Sequence, residues 1–583
     1  MDQRRLFLAI AMSVAILLVF QWLIAPHLPQ PPRPQPQLAG QQQANHAATA
    51  PQAAAVAAEP AVPKVVPRVK ISAPRVRGSI SLLGGRLDDL VLNDYRETLA
   101  PNSPDVTLLE PRSEGHPYYL QWGWSAAPGV SAKLPDNDTV WAASGDTLSP
   151  GHPVTLSWDN GAGLTFQIAL SVDDDYMFSA QQSVKNTGAQ SVQLFPWARI
   201  RRDYTPQTAG YNSLYGGTSE GLLGVINGTL HGMTYAGVKS KGEKANSVAY
   251  DATATGGWAG ITDKYWLTAL VPDQSVPTKL AFQYIGEEGD HYQVDYLAQD
   301  AQTIAPGGEA SLPWHAFAGA KLINLLNRYS AEYHIPSFNK AVDFGWVYLL
   351  ATPIFYCLDW LNGLLGNFGL AILAFTTAVK ALFFPLANYS YRSMSKMKLL
   401  APKMQALRER FKDDPQKMQQ EMMAMYRAEK VNPASGCLPM IVQIPVFISL
   451  YVVIYTTIEM RQAPFFGWIH DLSAVDPTNI FNLFGLLPFD PTAIPGIGGW
   501  LHLGAWPLIM GGTMFLQQKL NPPPPDPVQA RLFQFMPIIF TFMLANFPAG
   551  LVIYWSWNNL LSIAQQWVIM RRTRLVRPGL ART

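Results

Sequence analysis

Lys380 lies deep inside an apolar stretch, FGLAILAFTTAVKALFFPLA, that runs from Phe368 to Ala387. A charge at the centre of a membrane helix costs about 2.5–3.5 kcal/mol on insertion scales. The one acidic residue in the segments read as spans is Glu459, at the outer end of 437–459, so mutual neutralisation does not account for a lysine on the cytoplasmic side. An intramembrane ammonium suits the electrostatic attraction of carboxylates, and such a residue marks a functional site by default. Two readings stand side by side. Asn388 marks the polar end of the segment, roughly 12 Å further along a helix axis, and the lysine stem can snorkel part of that way. Thr376, one turn earlier on the same face, instead suggests a wet polar stripe. Both readings keep the ammonium on the cytoplasmic side.

Other reactive side chains are less organised. His231, His291 and several carboxylates occur in the middle of the chain, without metal-ligand, nucleophile-elbow or phosphate-loop spacing around them. No catalytic residue, metal or cofactor is therefore expected. Cys357 falls near the outer face and Cys437 near the inner end of the third expected span, so no disulfide between them is expected on geometry.

The elements that must position Lys380 follow from the distribution of charge and apolarity along the 583 residues. Only 14% are charged and 48% are hydrophobic, with a net charge of +2, yet the apolar segments crowd both ends. Leu6–Ile24 follows Arg4 and Arg5 and offers no small-x-small cleavage site, so residues 1–28 read as an uncleaved signal anchor. Further spans are expected at 366–388, 437–459, 500–519, 532–547 and 550–570. Lys and Arg crowd the segment 389–436 and the tail 571–583, whereas the segment 460–499 carries Arg461 alone. Six spans with both termini in the cytoplasm satisfy this asymmetry. The connection 520–531 then also faces the cytoplasm. The fifth span is short, which would thin the bilayer locally. Residues 326–365 include an apolar run broken by Pro353 and ending near Asp359, and they read as an amphipathic region at the outer interface.

Residues 29–66 are rich in Pro, Ala and Gln and read as an extended tether. From 67 to 325 short β-type runs alternate with Gly, Asn and Asp, as in VTLSW, LTFQIALSV and GWAGITDKYWLTALV. An exported all-β sandwich is expected there. Between the second and third spans, apolar residues at steps of three and four predict an amphipathic helical hairpin. Asp414-Pro415 opens its second helix. Met397, Met404, Met418 and Met422 belong to its apolar stripe. They either receive hydrophobic client segments or zip the two helices together. The basic exterior could meet anionic lipid headgroups or the RNA of a ribosome.

The stretches EKVNPASGCLPMIVQIPVFISLY and EMRQAPFFGWIHDLSAVDP closely resemble the YidC membrane protein insertase family. So do YRSMSKMKLLAPKM, FPAGLVIYWSWNNLLSIAQQ and, in the β region, LDDLVLNDYRETL. The resemblance covers nearly the whole chain. It implies a polytopic α-helical membrane protein of the bacterial inner membrane, with five core helices around a hydrophilic groove and a periplasmic β-supersandwich related in fold to sugar mutarotases. Lys380 stands where the family usually has arginine; lysine keeps the charge and lacks the planar five-donor fork. Thr376 and Gln443 match polar groove positions, Tyr554 and Trp555 an aromatic pair on the last span, and Asn546 a position where some members have tryptophan.

The implied function is insertion and folding of nascent membrane proteins, without ATP, alone or beside the Sec translocon. Two rivals belong to other classes. A small-solute transporter would be expected to show repeated halves and midplane ion sites, and a membrane-anchored sugar-modifying enzyme would need catalytic spacings. Neither feature is present in the sequence.

Overall fold

Period-two burial builds the first of two units into which the chain divides, residues 1–345 and 346–583. The computed structural model describes residues 66–206, 220–287, 289–411, 414–429, 438–494, 498, 501–520 and 527–575. The expected first span, most of the linker, Cys437 and the end of the basic tail lie outside these residues.

In Leu164–Val172, residues Leu164, Phe166, Ile168, Leu170 and Val172 are buried, and the residues between them are more exposed. Pro277–Ile285 alternates in the same way. Each strand thus hides one face. Among the described residues the strands form an eleven-stranded and a nine-stranded sheet. All neighbours are antiparallel except Arg68–Ser72, which pairs in parallel with Thr147–Leu148. The inner faces meet: Trp124 packs edge-on to Phe166 at 5.0 Å, Tyr296 lies 6.2 Å from Trp314, and Gln182 donates across the core to the Gly123 carbonyl at 2.9 Å. The expected all-β sandwich is present, and GWAGITDKYWLTALV forms the hairpin Trp258–Thr262 with Trp266–Pro272.

The sandwich extends beyond residue 325. Helix α1 (Tyr235–Gly242) lies within it, and α2 (Ile323–Glu332) buries Ile323, Leu326 and Tyr329. The Tyr329 hydroxyl accepts from the Tyr176 backbone N–H at 3.2 Å. Residues 326–345 therefore belong to the β unit, correcting the boundary expected at 325; the apolar face of α2 is covered by strands.

Charge buried in this unit is paired. Arg202, 4% exposed, grips Asp263 with two bonds of 2.7 and 2.9 Å and lies 4.3 Å over the Tyr118 ring. Lys321, 3% exposed, donates to Thr262 Oγ1 at 2.9 Å, with Asp263, Asp343 and Glu220 nearby. Burial outweighs these carboxylates and pulls the Lys321 ammonium down to about 8.

The second unit is helical. Helix α3 (Tyr348–Leu365) is continuous through Pro353 and, with its preceding turn, is the one unbroken helix among the described residues long and apolar enough to cross a membrane. It exposes Trp346, Leu349 and Trp360. Then come α4 (Phe368–Leu382), α5 (Phe384–Arg410), α6 (Pro415–Ala428), α7 (Leu438–Thr456), α8 (Ala505–Leu520), α9 (Pro527–Leu544) and α10 (Ala549–Leu575). The fifth expected span, 532–547, is shifted: its helix starts at Pro527 and ends at Leu544, before the turn that leads to Pro548.

Helix α10 packs on α8 and α4, α3 packs on α4 and α7, and α8 packs on α9. Gly511 makes the last contact possible, because a Cβ there would fall 2.1 Å from Thr541 Oγ1. Phe535, Ile538 and Ile539 of α9 and Ile441 and Ile444 of α7 stay exposed, a surface suited to lipid.

Gly511→Leu should therefore cost about 1–3 kcal/mol by overpacking and lower the melting temperature of the detergent-purified protein. Gly512→Leu, at a position where a Cβ meets nothing within 4 Å, should leave it nearly unchanged. For Lys321, the unfolded side chain keeps its proton to about 10.5 while the folded one releases it near 8. The folded chain then binds fewer protons between those values, so stability rises with pH across that window. Relative to Lys321→Met, the native protein should gain on the order of 2–3 kcal/mol between pH 8 and 10.5 in urea unfolding followed by tryptophan fluorescence. Parallel stability curves for the two proteins would contradict this.

Candidate functional site

The second expected span does not continue to residue 388 as one helix. Helix α4 starts at Asn367, whose side chain accepts from the Leu370 N–H at 3.0 Å, and it stops at Leu382. Pro385, in the first turn of α5, has no N–H to extend the ladder, and the axis bends by 65° across Phe383. This corrects the sequence reading of Lys380 as a mid-helix charge. Lys380 lies in the last turn of α4, where unpaired carbonyls and the negative end of the helix dipole favour a cation.

Helices α4, α5, α7 and α10 enclose a cavity around it with about 50 Å³ open to water-sized molecules, several times the roughly 10–15 Å³ that one water needs. Its polar lining comes from Thr376, Lys380, Gln443, Tyr391, Tyr554, Asn558 and Gln565. The cavity has room because α4 and α7 stand apart, each supported by α3 and α10. Lys380 Nζ donates to Ser562 Oγ at 2.8 Å and, at 3.4 Å, to Gln443 Oε1. Among the described residues no carboxylate pairs with it. Thr376 is 2% exposed and returns its own proton to the Ile372 carbonyl at 2.6 Å, which leaves its oxygen as an acceptor. Tyr554 lies within reach of Gln443. Thus Lys380, Thr376, Gln443 and Tyr554 line one cavity.

Trp555 does not join them. It packs edge-on to Phe447 at 4.6 Å and against Phe540, beside Met510, Leu544 and Val552. Tyr554 stacks on the same Phe447 ring at 6.3 Å, and of the two aromatics Tyr554 alone lines the cavity. Asn546 lies in the exposed turn after α9.

In the hairpin, Asp414 caps α6 by accepting from the Lys417 N–H at 3.1 Å. Met397, Met404, Met418 and Met422 are each half-buried. Tyr426 donates to the Met404 sulfur at 3.3 Å, and Lys403 pairs with Glu429 at 2.9 Å. This arrangement agrees with methionines that zip the two helices, while Met423 is 44% exposed. In the β unit His291 is held by Asp203 and the Glu287 carbonyl, and His231 stacks on Tyr250. Among the described residues no cluster of His, Cys, Asp and Glu could hold a metal.

At the far end of the bundle from the α4 bend, Asp476 ties the loop after α7 to the start of α8. Its carboxylate accepts from Trp468 Nε1, from the N–H and hydroxyl of Thr478, and from the Trp506 N–H, and the side chain is 1% exposed. Gly504 leaves no room for a Cβ beside it.

Sequence reasoning missed Asn558, Ser562 and Gln565. Together with Tyr554 they recur at steps of four, four and three, the period of one helical face. That polar line inside an apolar segment was the available signal.

A family profile described as "60Kd inner membrane protein" matches residues 360–575, and one described as "YidC periplasmic domain" matches residues 68–357. The Membrane protein insertase YidC of Granulibacter bethesdensis is 60% identical over 585 residues, covering 100% of both chains. That of Acidiphilium cryptum is 55% identical over 516 residues, covering 87% of this chain and 85% of the other. Among solved structures, an active YidC insertase crystal structure with its first transmembrane domain resolved covers 86% of this chain and 93% of its own, at 19% identity and a TM-score of 0.35. With identity of this extent running through both the helical unit and the β-sandwich, the chain belongs to the YidC membrane protein insertase family.

Proposed function

We propose that this protein inserts newly made membrane proteins into the bacterial inner membrane and helps them fold, and that the cavity around Lys380 is where the polar part of a client enters. The named relatives are insertases, which is a non-enzymatic activity. The observation that carries the reading is a cation that, among the described residues, has no carboxylate partner and is held among hydrogen-bonding side chains in a helical unit whose outer faces are apolar.

The physical problem is desolvation. A polar tail crossing hydrocarbon loses its water, and each buried charge costs several kcal/mol. A wet cavity part-way across shortens that path. Its groups replace the hydration shell, and Lys380 attracts acidic tail residues while the apolar part of the client passes sideways into lipid. Helix α9, Pro527–Leu544, spans about 27 Å against roughly 30 Å of hydrocarbon, and a slight local thinning of the bilayer belongs to this reading. The Asp476 network supports a groove closed at the periplasmic end, and the bend at Phe383 supports one open toward the cytoplasm.

In this reading the first span and α4, α7, α8, α9 and α10 make six spans, with both termini cytoplasmic and the β-sandwich periplasmic. Helix α3 lies at the outer interface through Trp346 and Trp360. The basic hairpin meets ribosomes or anionic lipid, and the Sec translocon is a working partner. Energy comes from apolar burial and the membrane potential.

A photocrosslinker at position 380 should capture a stalled nascent membrane protein. Lys380→Ala should slow insertion of a client with an acidic tail by about tenfold, the scale of one lost charge-assisted hydrogen bond. The same client with its acids changed to amides should be slowed much less. Equal effects on both clients would reject the electrostatic role. Normal accumulation of new membrane proteins after depletion of the protein would reject the function itself.

A further inference from the structure

Helix α10 holds Lys380 at two points. The Ser562 hydroxyl is 2% exposed and donates its proton to the Asn558 carbonyl one turn back, at 2.8 Å. Only its lone pairs face the cavity, so toward the ammonium it is purely an acceptor, and Lys380 Nζ lies 2.8 Å away. One turn further along α10, Gln565 Nε2 donates to the backbone carbonyl of Lys380 at 3.2 Å. That carbonyl is among those left over by the end of α4, because the chain bends at Phe383 instead of continuing the ladder.

We infer that Ser562 and Gln565 are positioning residues: Ser562 aims the Lys380 ammonium across the groove, and Gln565 fixes the broken helix end that carries it. This rests on the reading of Lys380 as the charge that attracts client carboxylates. An ammonium has three donors. Ser562 takes one and Gln443 a second at longer range, which leaves the third directed at the cavity for a client carboxylate. Without Ser562 the four-carbon stem would sample several rotamers, and the ammonium would no longer be aimed across the groove. Tyr391 also lies within reach of the Ser562 hydroxyl and lines the same cavity, so a vacated position has a neighbour able to close over it. Gln565 is needed because the bend removes the backbone restraint that an unbroken helix would supply.

The test uses the full chain reconstituted in vesicles, as wild type, Ser562→Ala, Ser562→Thr, Gln565→Leu, Lys380→Ala and the Lys380→Ala/Ser562→Ala double variant. Two readouts are taken: labelling of Lys380 by an amine-reactive ester, followed by mass spectrometry, and insertion of a single-span client bearing either an acidic tail or its amide counterpart. Ser562→Ala should label several-fold faster and lose about fivefold on the acidic client alone, a part of the loss expected for one charge-assisted hydrogen bond. Ser562→Thr, which keeps the hydroxyl, should restore both, and Gln565→Leu should follow Ser562→Ala. The double variant should match Lys380→Ala, since Ser562 acts only through the lysine. Unchanged labelling in Ser562→Ala, or equal loss on both tails, would overturn the inference. If Lys380→Ala itself treats the two tails alike, the attraction reading falls separately, and the labelling rates alone then decide whether Ser562 and Gln565 position the lysine.

Discussion

An ammonium placed among apolar helices must recover the hydration it gives up, and the helical unit is arranged around that demand. Insertion scales give about 2.5–3.5 kcal/mol for a lysine at mid-span, an upper bound for one in the last turn of its helix. One charge-assisted hydrogen bond returns about 1.5–3 kcal/mol, and a place near the end of a helix adds about 0.3–1 kcal/mol. Lys380 has both: the Ser562 hydroxyl at 2.8 Å and the last turn of α4. Among the described residues the cost is met without a carboxylate, as the proposed attraction of client acids requires.

Several structural choices follow. The chain ends α4 two residues after the lysine, and Pro385 prevents the ladder from continuing. The carbonyls so released need donors, and Gln565 supplies one. Helix α10 therefore carries polar residues on two faces. Tyr554, Asn558 and Gln565 line the cavity and Ser562 meets Lys380, while Asn559 donates to Thr513 and Gln566 to the Leu520 carbonyl on α8. Trp557 adds a link to Thr377 of α4 at 3.1 Å. In an apolar solvent these bonds and the close approach at Gly511 hold helices together where a hydrophobic driving force does not.

Much of this was legible in residue order, for identifiable reasons. Alternation in LTFQIALSV fixes which face is buried, because a strand has only two faces. Asp414-Pro415 marks a helix start through local capping chemistry. Lys380 and Thr376 stand out because each is polar in an apolar run, whereas Gln443 and Tyr554 come only from the resemblance to the family. The bend at Phe383 was less visible, since a proline near a helix end resembles one tolerated inside a span. Trp555 was assigned to the groove by its resemblance to a family pair, of which Tyr554 alone lines the cavity. Ser562 and Gln565 escaped notice because serine and glutamine close to a span's end are unremarkable until the partner across the cavity is known. The boundary at 325 failed for a tertiary reason: only the packing of Tyr329 on the strands reveals that α2 belongs to the sandwich.

The central claim is that the site around Lys380 is wet within the membrane. Single cysteines at Thr376, Gln443 and Asn558, compared with Phe535 and Ile538 on the exposed face of α9, test it most directly through alkylation by a membrane-impermeant maleimide applied to inside-out vesicles. The account predicts rapid labelling of the first three and little at the other two. Absence of labelling at all three cavity positions, with a cysteine in the hairpin reacting normally, would contradict it.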